Sequence, residues 1–117
     1  VELDLSQNLF TAGDIFSLDA AVKNYTGEDW VNSRLFVALE IQDSFWFAPS
    51  WTSNGIDFYS LDLVSGEHEA VPILEPFEWP EGTGSFYGLN FYGLMTDETM
   101  TNMLGEMDVV TFSYVGE

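Results

Sequence analysis

The stretch Phe16-Ser17-Leu18-Asp19-Ala20-Ala21-Val22-Lys23 alternates strictly, with Phe16, Leu18, Ala20 and Val22 on one side and Ser17, Asp19, Ala21 and Lys23 on the other. A period of two marks a β-strand with one face buried. Upstream, beyond the turn Thr11-Ala12-Gly13-Asp14, the run Val1-Glu2-Leu3-Asp4-Leu5 shows the same alternation. Downstream, the loop Asn24-Tyr25-Thr26-Gly27-Glu28-Asp29 leads into residues 34–42, where Leu35, Val37, Leu39 and Ile41 share one face and Glu40 and Gln42 lie on the other. A central strand is expected there.

Asp43-Ser44 reads as a two-residue hairpin turn into Phe45-Trp46-Phe47, and Asn54-Gly55 as another turn. Further strands are expected over residues 56–64, 70–79, 85–95 and 108–115. Pro72 and Pro76 cannot donate ladder hydrogen bonds, so the segment 70–79 belongs at a sheet edge or is broken. One helix is expected before the last strand: Asp97 and Glu98 suit its positive start, Met100, Met103 and Leu104 fall at i, i+3 and i+4, and Gly105 suits its stop. The expected fold is all-β: an immunoglobulin-like Greek-key β-sandwich of roughly seven to nine strands with that one short helix. All 117 residues form one domain in this reading. Because the sequence opens directly in a strand, a leader or upstream domains are expected to precede Val1.

Charge narrows the partners. Twenty Asp and Glu stand against only Lys23 and Arg34, a formal net charge of −18 at pH 7, yet 46% of the residues are hydrophobic and 16% aromatic. So apolar a chain folds rather than staying a disordered acidic tail. Nucleic acids and anionic membranes require clustered cations, and two do not suffice. No apolar run is long enough for a membrane-inserted helix. The self-repulsion is relieved by salt or divalent cations, which fits an ion-rich exterior.

Catalytic chemistry has little to work with. The single histidine, His68, lies between Glu67 and Glu69 in a turn with no nucleophile motif nearby, and there is no cysteine. Thiolate or imidazole metal sites are excluded on the same count. Calcium takes oxygen ligands, which acidic loops supply, and Glu28, Asp29, Asp97 and Glu98 are the leading candidates, with Asn54 and Asp57, or Glu67 and Glu69, as others.

Phe10-Thr11-Ala12-Gly13-Asp14, followed by an alternating strand ending Val22-Lys23-Asn24, resembles the opening of CARDB-like and other bacterial immunoglobulin-like adhesion domains. The segments Trp46-Phe47-Ala48-Pro49-Ser50-Trp51, Phe77-Glu78-Trp79-Pro80 with Gly84, and Phe91-Tyr92-Gly93 are similar to accessory domains near the C-termini of secreted bacterial proteins. The resemblance implies a non-catalytic module, secreted or at the bacterial cell surface. The aromatic, proline-interrupted middle of this chain departs from the plain meander of such domains.

Two kinds of partner follow as expectations. A structural or adhesive module would contact neighbouring domains or further copies of itself, with exposed edges at Val1, Leu3, Leu5 and at Val109, Thr111, Ser113. A carbohydrate-binding module would instead present flat rings to polysaccharide from Trp46, Trp51, Tyr59 and Trp79, and also from Tyr87 and Tyr92, with Asn54, Asp57 and Asn90 as polar partners.

Overall fold

A computed structural model describes residues 1–41, 43–78 and 84–116. The alternating stretch is β3 (Ile15–Lys23), and Phe16, Leu18, Ala20 and Val22 are all buried. It pairs on one side with β1 (Glu2–Leu5) and on the other with β7 (His68–Glu78), both antiparallel, giving a three-stranded sheet. β7 is therefore an edge, and Pro72 and Pro76 sit where no outer neighbour needs their missing N–H groups.

The larger sheet has the order β2 (Leu9–Thr11), β9 (Asp108–Val115), β8 (Phe86–Thr96), β4 (Trp30–Ile41), β5 (Ser44–Phe47), with β6 (Tyr59–Leu63) also on β4. β4 is central, as its apolar pattern indicates: β8 flanks one side, while β5 takes Ala38–Ile41 and β6 takes Trp30–Leu35 on the other. β2 joins β9 in parallel. Ile41 pairs with Ser44, so Ser44 belongs to the strand and not to the turn that the sequence implies, with Asp43 at φ 67°.

Aromatic rings hold the two sheets together. Phe16 of the smaller sheet meets Phe10 at 4.6 Å, Phe112 at 5.3 Å and Phe91 at 6.2 Å from the larger one, and Phe91 stacks on Phe112 at 5.2 Å. β1 is drawn across the same gap. Its Leu3 seats over Gly93 of β8, where a Cβ would come within 2.9 Å of the leucine.

The expected helix is not there; the described residues form strands, turns and bends only. Met100 takes φ 57°, outside the right-handed helical region, and the segment returns on itself: Leu104 N–H donates to Met95 O at 2.8 Å and Thr96 bridges Met103. Two causes act together. Two turns of isolated helix have little intrinsic stability, and β8 and β9 are antiparallel neighbours that need a chain reversal between them. Met100 and Met103 consequently stay exposed, and only Leu104 packs on the core.

Candidate functional site

β4 is apolar on both faces. Leu35, Val37 and Leu39 point between the sheets, whereas Phe36 and Ala38 face out with Glu40. Register then brings aromatic neighbours beside them. Ala38 is flanked by Phe47 and Tyr92, Phe36 by Leu94, and Glu40 by Phe45 and Asn90. Phe36, Ala38, Phe45, Phe47, Tyr92, Leu94 and Met107 line one open groove of about 400 Å³ on the outer face of the larger sheet. Phe45 lies 5.8 Å from Tyr92, and Ala38 is only 5% exposed because the large rings stand around it. A connected apolar patch of this kind on a sheet face is what binding surfaces present.

Polar groups border it. Glu40 Oε1 accepts hydrogen bonds from Tyr92 Oη at 3.0 Å and Asn90 Nδ2 at 3.1 Å, and Thr111 Oγ1 donates to Asn90 Oδ1. The bond donated to Glu40 is the main influence raising the Tyr92 phenol above its usual pKa, so Tyr92 remains a donor that holds the carboxylate in place. Arg34 stacks its guanidinium 4.3 Å over Phe58, which in turn meets Phe36 at 5.7 Å.

The residues named for sugar binding that lie among the described residues differ in exposure and surroundings. Trp51 is half-buried and meets Phe91 edge-on at 6.2 Å, and Tyr59 is half-buried against the core. Trp46 pairs with Leu39 and so shares its side of the sheet, yet it is 38% exposed on the short strand β5. Asn54 is exposed, whereas Asp57 is tied to its own loop: hydrogen bonds from Ser50 and Phe58 hold its carboxyl below the usual range. Trp79 lies outside the described residues. Tyr87 is exposed, Tyr92 lines the groove and Asn90 borders it through Glu40.

The proposed edges separate as well. β1 is an outer strand, but Leu3 is buried, Val1 and Leu5 pack on the core, and Leu3 N–H donates to the Asp108 carboxylate at 2.8 Å. β9 has β8 on one side and, from Ser113 onward, β2 on the other. Val109 and Thr111 face outward beside Tyr92 and Asn90, next to the groove.

Glu28, Asp29 and Asp97 do meet, around one hollow of about 450 Å³ with Thr26 and Asn102; Glu98 does not line it. Two of the three carboxylates already accept hydrogen bonds. Asp29 accepts from Ser65 N–H, and Asp97 accepts from Thr101 N–H, Thr99 Oγ1 and Asn102 Nδ2. Among the described residues no three His, Cys, Asp or Glu side chains are placed to hold a metal ion. His68 opens β7 opposite Lys23, exposed, with Glu67 and Glu69 exposed beside it.

Asp97 instead organises the turn that replaces the helix. The Thr101 N–H, then the Asn102 amide, hold its carboxyl below the ordinary value of 3.8. A depressed folded pKa means that its contribution is complete above the unfolded value and disappears as pH falls through the lower, folded one. The exchange protection of the Thr101 amide is therefore expected to persist on acidification past pH 3.8 and vanish only below it, whereas Asp97→Asn should weaken that protection at neutral pH. Protection independent of both acid and substitution would remove Asp97 from this role.

The architecture is that of a CARDB-like β-sandwich, as the resemblance of Phe10–Asp14 and the strand after it implies. A crystal structure of the CARDB domain of a Pyrococcus furiosus protein, solved in complex with di-metal ions, superposes with a TM-score of 0.62 over 98% of this chain and 90% of that one, at 14% identity. At that identity the likeness is one of fold. The sequence matches no protein-family profile and no curated protein. The acids around Asp97 form no cluster of three that could hold a metal ion, among the described residues.

The groove was missed in the sequence because it needs register: its residues come from three strands and the segment before β9. One signal was present. Residues 35–41 carry Phe36 and Ala38 on the face that a half-buried strand would make polar.

Proposed function

We propose that this chain is a non-catalytic adhesive or structural module, extracellular and of secreted or cell-surface origin, which contacts a neighbouring protein domain through the outer face of its larger sheet. The observation that carries the reading is the groove of Phe36, Phe45, Phe47, Tyr92, Leu94 and Met107 over Ala38. Apolar area that the fold itself does not require is retained where a partner covers it. The net charge of −18 supports an ion-rich exterior, and the lone exposed histidine supports a non-catalytic role.

Substitution of a rim residue tests this. Phe45 is 43% exposed on the short strand β5. Phe45→Lys is expected to change the melting temperature little, as surface substitutions do, while reducing several-fold the fluorescence of the uncharged apolar dye Nile red bound to the domain. If the variant melts far below the parent, Phe45 is a fold residue and the surface reading fails. Unchanged dye binding would likewise place the accessible apolar surface elsewhere.

A further inference from the structure

The chemistry beside the groove specifies what kind of polypeptide fits it. Both hydrogen bonds to Glu40 go to Oε1, leaving Oε2 without a partner among the described residues. The carboxylate is held beside Phe45 and Tyr92, whose ring faces attract a cation. Glu40 also lines a second hollow, of about 380 Å³, with Asp43, Tyr87 and Gly88, so a second acid and a third ring lie close by. Polar head site and apolar groove thus adjoin at Tyr92.

The spacing is that of an extended chain. From Glu40 to Phe36 along β4 is four residues, about 13 Å at the rise of a strand. A segment lying over this face with a cation at Glu40 would set side chains at alternate positions over Ala38 and against Phe36 and Leu94. Charge decides against a second copy as occupant. Each copy carries −18, its two cations are Lys23 and Arg34, and Arg34 is already stacked on Phe58. Two such faces brought together would repel, whereas a basic partner is drawn in by the whole field.

We infer that the outer face binds an extended polypeptide segment in which a lysine or arginine is followed at alternate positions by apolar residues, the cation seated between Glu40, Phe45 and Tyr92. This rests on the docking role proposed above and adds the partner's chemistry.

The test uses a short synthetic peptide with one lysine followed at alternate positions by leucine and phenylalanine, compared with the same peptide carrying norleucine for lysine. Titrations are run at about 0.15 M salt, where exposed charges beyond about 8 Å are screened. The lysine peptide is expected to bind at least roughly tenfold more tightly, the scale of a charge-assisted hydrogen bond. Glu40→Gln keeps an acceptor for Tyr92 and Asn90 and should erase the preference, whereas Glu67→Gln, exposed and equal in charge change, should retain it.

Equal binding of both peptides overturns the inference and leaves the docking surface standing. Equal losses in Glu40→Gln and Glu67→Gln overturn it too, by assigning the preference to the general field. Undiminished binding of either peptide by Phe47→Ser with Leu94→Ser sinks the docking surface itself.

Discussion

Phe16→Ala is expected to cost about 3–5 kcal/mol of folding stability, the range for removing a large buried aromatic side chain. The residue is 1% exposed, and its ring reaches from the smaller sheet to Phe10, Phe91 and Phe112 of the larger one. No backbone hydrogen bond joins two sheets packed face to face, so side-chain packing must supply their association. Domains of this size have total stabilities of about 5–15 kcal/mol, and the loss is a large part of that. Urea denaturation should show a much lower midpoint for the alanine variant and a smaller decrease for Phe16→Leu, which keeps more of the volume. A midpoint unchanged in Phe16→Ala would mean that the sheets are held elsewhere.

Asn24→Ala is the second large effect, and its cause is polar. Asn24 is 0% exposed at the end of β3, where its Nδ2 donates to Glu28 O at 2.7 Å and Leu63 O at 2.9 Å, and its Oδ1 accepts from Thr26 N–H and Oγ1. Its backbone exchanges bonds with Glu67 and Gly66. One side chain thereby ties the β3–β4 loop to the end of β6. Alanine takes the side-chain donor from the Leu63 carbonyl and the acceptor from the Thr26 N–H, at about 1–3 kcal/mol for each group that stays buried. Asn24→Asp should be no milder, because it removes both donors and buries a charge. Stability within about 0.5 kcal/mol of the parent for both variants, the size of an ordinary surface substitution, would show that water replaces the side chain.

Much of the architecture was legible because burial imposes a period of two. Phe16 to Val22 and the inward face of Leu35, Val37 and Leu39 were visible directly, and Pro72 and Pro76 left β7 as either an edge or a broken strand, of which the structure shows the edge. The 97–105 segment was misread. Met100, Met103 and Leu104 satisfy a helical spacing, but an acid that can begin a helix can equally close a turn, and Asp97 does so through Thr101 and Asn102. Which use prevails depends on β8 and β9 being adjacent, a long-range fact that no local pattern contains.

The site was less legible still. Tryptophans were the obvious rings for ligand contact, yet Trp51 packs against Phe91, and Trp46, though 38% exposed, lies on the other side of its strand pair from the groove. Three of the groove's seven lining residues are phenylalanines, which in isolation read as core. Phe36 and Phe47 acquire an outward meaning only once Ala38 is known to lie beside Phe47 and Tyr92. Register sets that arrangement, and a single-residue slip would exchange the two faces.

Backbone amide NMR during titration with the lysine peptide tests most directly whether the outer face of the larger sheet is a docking surface. The predicted result is a set of shift changes concentrated at Phe36, Ala38, Glu40, Phe45, Phe47, Tyr92, Leu94 and Met107, with the loops of Glu28, Glu67 and Asp97 unaffected. Changes centred on those acidic loops, or none at all at saturating peptide, would contradict it.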